Sequence, residues 1–150
     1  MEQFMNRSNP ILEDYQLFMV FRNIGSKLLQ QLKGIISSPA YAPYFKEINL
    51  TENHELHFSY LGQHFKTGME LYFNHTKMPK SAHITTYYLG DTDTKEKEEI
   101  ISYTYTIDLI INGIYSIDAF AEYYLIEFHQ NVKKSFSDRH MPFPIRLNNK

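Results

Sequence analysis

From Glu99 to Ile111 the chain alternates. Ile101, Tyr103, Tyr105, Ile107, Leu109 and Ile111 form one apolar set, while Ser102, Thr104, Thr106 and Asp108 form a polar one, broken only by Ile100 and Ile110 near the ends. Successive strand side chains point to opposite faces, so this period-two pattern of β-branched and aromatic residues predicts a strand with one dry face. Burying each apolar member contributes roughly 1.5–3 kcal/mol before conformational entropy is subtracted, which makes this strand the expected spine of the core.

Further strands are expected over Phe45 to Leu50, His54 to Leu61, the segment after Gln63, and Ala82 to Leu89. With Gly62-Gln63 as a two-residue turn, Leu56 opposes Met69, Phe58 opposes Thr67 and Tyr60 opposes Phe65 on one face. His57, Ser59, Lys66 and Gly68 then fall on the other, mostly polar face.

Helical spacing takes over at both ends. Asn9 can cap a helix that has Pro10 in its first position and Glu13 and Asp14 against the positive end of its dipole. Leu17, Phe21, Ile24, Leu28, Leu32 and Ile35 recur at steps of about three or four, and Gly34 is the expected stop. Gly25-Ser26 weakens the middle of this helix. Ser37 to Pro43 reads as an extended connector fixed by its two prolines. After an Asn112-Gly113 turn, which either closes a small ribbon or leads directly on, Ser116 can cap a second helix. Its stripe is Ile117, Phe120, Ala121, Tyr124, Leu125, Phe128 and Val132, ending at Lys133-Lys134.

The expected fold is α+β: an N-terminal helix, an antiparallel β-meander of four to five strands and a C-terminal helix, with both helices packed on one sheet face. Residues 1–134 form one domain in this reading, and residues 135–150 an extended basic tail.

Composition narrows the chemistry. The chain has 150 residues and no cysteine, which excludes disulfides, thiol catalysis and thiolate metal sites. Residues 1–132 carry 10 Lys or Arg against 16 Asp or Glu, and residues 133–150 carry 5 against 1. An acidic body disfavours a phosphate backbone, so nucleic acid is not the expected partner. Neither the opening residues nor Leu17 to Val20 resembles a signal peptide or membrane span, so no membrane association and a cytoplasmic location are expected. A composition rich in Ile, Asn and Tyr fits a bacterial or phage origin by association.

No catalytic, cofactor or metal site is assigned. His54 and His57 fall on opposite faces of a strand, and the register above sets His57 and His64 roughly 13 Å apart. Asp91-Thr92-Asp93 starts like a calcium loop, but Lys97 and Ser102 stand where glycine and glutamate are required. The polar sheet face, with His57, Lys66 and Tyr72, is a candidate surface for a protein partner. The tail offers Arg139, Phe143 and Arg146 as a second element, to dock on a partner or on its own domain. The functional expectation is a non-enzymatic protein-binding module of the inhibitor, immunity-factor or adaptor type. The alternatives are a small-molecule or enzymatic pocket lined by Tyr103, Tyr105 and Tyr124, and, compatible with either, a homodimer joined through edge strands or sheet faces.

Overall fold

The structure, a computed structural model, describes residues 9–72, 81–90, 98–106, 110–111, 115–116 and 119–138. Helix α1 spans Pro10–Ile36, followed by β1 (Phe45–Leu50), β2 (Glu55–Tyr60), β3 (Gln63–Tyr72), β4 (Ser81–Gly90), β5 (Glu98–Tyr105), the short β6 (Ile110–Ile111) and β7 (Tyr115–Ser116), and helix α2 (Phe120–Asp138). The strands form one sheet in chain order, each antiparallel to its neighbour. The fold is α+β, as the periodicities predict, and both helices pack on the dry face of this sheet. Among the described residues no helix is long and apolar enough to cross a membrane.

Asn9 caps α1, its Oδ1 accepting from the backbone N–H of Ile11 and Leu12 at 3.1 and 3.4 Å. The helix runs through Gly34, expected to end it, to Ile36, and Ser37 caps it with its N–H donating to the Lys33 carbonyl at 3.0 Å. Gly25 is a contact point rather than a weak point. A Cβ there would lie 2.5 Å from Met69 Sδ and 2.6 Å from the Tyr105 hydroxyl, which donates to the Phe21 carbonyl at 2.8 Å. The helix backbone thus rests directly on the sheet.

The connector between α1 and β1 is not extended. Backbone N–H groups of Tyr41 and Ala42 both donate to the Ser38 carbonyl, and those of Tyr44 and Phe45 to the Tyr41 carbonyl, so the segment is a chain of turns. Local hydrogen bonds override the stiffness of Pro39 and Pro43.

The β2–β3 hairpin turns at Leu61-Gly62, one residue earlier than expected, and both residues have positive φ, 53° and 87°. Two positive φ values match the right-handed strand twist, and Gly62 supplies one at little cost. Leu61 is held in its unfavourable conformation by burial of its side chain and by its N–H donating to the Tyr44 carbonyl at 3.1 Å. Leu56 therefore opposes Thr67, Phe58 opposes Phe65, and His57 opposes Lys66. A shift of two residues keeps the side chains of the paired strands on their expected faces, while Leu61, expected opposite His64 on the polar face, is buried in the turn.

The spine strand is shorter than its pattern. It ends at Tyr105, and the chain returns so that Ile111 pairs with Tyr105 from the neighbouring β6. Ile111 is buried as expected, but on another strand. At the other end, Thr86 pairs with Ile101 and Tyr87 with Glu99, leaving Ile100 in a bulge that lets Ile100 and Ile101 both face inward. Ser116 belongs to β7, and the helix begins later, at Phe120.

Phe128 of α2 centres the core. It stacks on Tyr124 at 5.5 Å and meets Phe58, Tyr60 and Phe65 edge-on at 5.7, 5.1 and 5.1 Å. Beyond Lys134 the helix continues to Asp138, with Phe136 fully buried against Tyr88, so residues 135–138 are helical rather than extended.

Candidate binding surfaces

The polar sheet face carries two of the expected partner-binding residues. His57 and Lys66 oppose each other across β2 and β3, and both close on Glu55: His57 Nε2 lies 3.2 Å from Oε1, and Lys66 Nζ donates to Oε2 at 3.4 Å. Burial alone would raise the Glu55 pKa, but the hydrogen bond from His57 and the charge and hydrogen bond of Lys66 outweigh it and hold the carboxyl below its ordinary value. Further along, Glu70 accepts from the Thr85 hydroxyl at 3.3 Å and the Tyr87 hydroxyl at 2.8 Å, and Thr85 bonds Ser102 at 2.9 Å. A hollow of about 300 Å³ lies on this face, lined by both carboxylates, Lys66 and Tyr87. Its Glu55 and Lys66 are already engaged with one another, and its Glu70 with the Thr85 and Tyr87 hydroxyls.

The register sets Tyr72 on the same face, six residues and roughly 20 Å along β3 from Lys66, so the structure brings His57 and Lys66 together and leaves Tyr72 apart. Arg139, Phe143 and Arg146 lie outside the described residues. Among the described residues no group of three or more His, Cys, Asp or Glu side chains could hold a metal ion.

The interior tyrosines are packed and bonded. The Tyr124 hydroxyl sits 2.5 Å from Thr86 Oγ1 and 3.3 Å from Thr67 Oγ1, Tyr103 donates to Glu127, and Tyr105 to the Phe21 carbonyl. Burial pushes the phenols of Tyr105 and Tyr124 up, and the two threonine hydrogen bonds only partly offset this at Tyr124. Each hydroxyl is spent on holding a helix to the sheet. None of the three lines the sheet-face hollow or a second, larger cavity.

That cavity is a groove of about 390 Å³ between α2, the first two strands and the turn segment before β1. Tyr41, Tyr44, Phe45, Tyr60, Leu125, Ile126, His129 and Gln130 line it. The local turns explain how it forms: bonds onto Ser38 and Tyr41 fold Tyr41 and Tyr44 toward the start of β1, where Tyr41 meets Phe45 edge-on at 6.4 Å. Phe45 and Tyr60 form the floor, backed by Phe128. The rim is open, with Tyr44 at 40% and Ile126 at 59% exposure, and Tyr123 one turn away on α2 at 42%. Tyr60 is pushed up to about 12, chiefly by burial and further by the Tyr44 phenol, so it stays protonated at neutral pH. Its hydroxyl lies 2.6 Å from His129 Nδ1, a bond in which the phenol donates when the imidazole is neutral with its hydrogen on Nε2.

Comparison with protein families, with curated proteins and with solved structures finds no match for this chain. The site is therefore read from its own chemistry. Sequence reasoning missed the groove, although a signal was present. Once the buried stripe of α2 is assigned, Tyr123 and Ile126 are left over as large apolar residues on the outer side of the helix, and Tyr41 and Tyr44 as aromatics in a connector.

Proposed function

We propose that this protein is a non-enzymatic protein-binding module of the inhibitor, immunity-factor or adaptor type, and that it docks through the aromatic groove. The observation that carries this reading is the groove's composition among the described residues: four aromatic rings, Leu125 and Ile126, with His129 and Gln130 as its polar members and no Lys, Arg, Asp or Glu. Enrichment in aromatics and depletion of charge mark the cores of interfaces, and a few rigid aromatic anchors usually supply most of the binding energy. The open Tyr44, Tyr123 and Ile126 offer such anchors at little conformational cost. The outer edge of β1 suits a partner less well, since Lys46, Glu47 and the positive φ of 54° at Glu47 all oppose strand pairing, including between two copies.

The test is retention of a partner from native lysate, read by native mass spectrometry for three forms of the protein. Wild type and the sheet-face variant His57→Ala/Lys66→Glu should hold the same stoichiometric protein, and the groove variant Tyr44→Ala/Ile126→Asp should lose it. Retention by the groove variant overturns the location. A small molecule bound in place of any protein overturns the function in favour of a ligand-binding domain, a reading supported by the Tyr60–His129 pair in the wall of the groove.

A further inference from the structure

We infer that the groove takes a protein segment carrying one large apolar side chain and, about one helical turn away, a carboxylate. This rests on the groove being the docking surface and adds the partner's chemistry. His129 lines the groove, and Lys133 stands four residues further along the same flank of α2, exposed and without an ion pair among the described residues. Residues four apart on a helix are neighbours, so Lys133 stands beside His129, one turn past the C-terminal end of the groove. At the opposite end the exposed Glu122 stands four residues before Ile126. Lys133 follows Glu122 by eleven positions, which at 1.5 Å per residue is roughly 16 Å. The uncharged floor therefore lies between a negative and a positive end, and a bound segment is oriented with its acid toward Lys133. Such rim charges select partners and fix direction, while the apolar anchor supplies the affinity.

The experiment is fluorescence anisotropy with three labelled helical host peptides. One carries Phe with Glu four residues away, one Phe with Lys in place of the Glu, and one Ala with the Glu. The Phe/Glu peptide should bind tightest, the Phe/Lys peptide about fivefold weaker, as a single exposed charge pair implies, and the Ala/Glu peptide not measurably. Lys133→Glu, on an exposed helix position, should reverse the order of the two Phe peptides. No binding of the Phe/Glu peptide, equal binding of the Glu and Lys peptides, or an unchanged order in Lys133→Glu overturns the inference. If a lysate partner still depends on Tyr44 and Ile126 in that event, the docking surface stands and only the partner's charge is wrong.

Discussion

The polar sheet face and the aromatic groove differ in what their side chains are doing. On the sheet face Glu55 holds His57 and Lys66, and Glu70 holds Thr85 and Tyr87, so a partner would have to replace bonds that already exist. In the groove the Tyr60 hydroxyl has His129, but Tyr44 and Ile126 expose apolar surface that none of the described residues covers. Polar groups that satisfy one another gain little from a newcomer, whereas uncovered aromatic area gains by being buried. Chemical variety therefore points to one surface and binding energetics to the other.

Four substitutions sharpen this contrast. Phe128→Ala removes the ring that backs the groove floor and should cost about 3–5 kcal/mol in denaturant unfolding, because five aromatic neighbours lose their common partner. A cost below about 1 kcal/mol would mean that the floor is not part of the core. Gly25→Ala gains about 1 kcal/mol of helix propensity but inserts a methyl group against Met69 and Tyr105, at an overpacking cost of about 1–3 kcal/mol. The net expectation is a lower melting temperature.

Glu55→Gln probes the paired face. A folded carboxyl below its ordinary 4.5 contributes stability above that value and loses it as pH falls through the folded pKa. Because these side chains are partly exposed, the contribution at neutral pH is under about 1 kcal/mol. The stability gap between wild type and Glu55→Gln should therefore shrink below about pH 4.5. Ile126→Asp, at the open rim, should change stability least, within about 0.5 kcal/mol, while abolishing binding in the groove.

Most of the fold was legible because burial leaves a period. The stripe Phe120, Ala121, Tyr124, Leu125, Phe128 and Val132 is buried as its spacing predicts, and Asn9 caps α1 as its position predicts. What failed was backbone geometry set by tertiary contacts. Leu61 accepts a positive φ only because the core and the Tyr44 carbonyl hold it there, and no local preference of leucine announces that. Gly25 looked like a defect because helix propensity cannot register the sheet beneath it. The groove was harder still, since it joins a connector, two strands and the flank of a distant helix. Its clue was indirect, in apolar residues that the core did not use.

The most direct test of the groove is a ¹⁵N–¹H NMR titration with benzyl alcohol, a small amphipathic ring that needs uncovered apolar surface to bind. Saturable shifts confined to residues 41–45, 60 and 125–130 are the result expected. Shifts centred instead on residues 55–57, 66–70 and 85–87, or no site-specific shifts, would contradict the assignment of the groove as the binding surface.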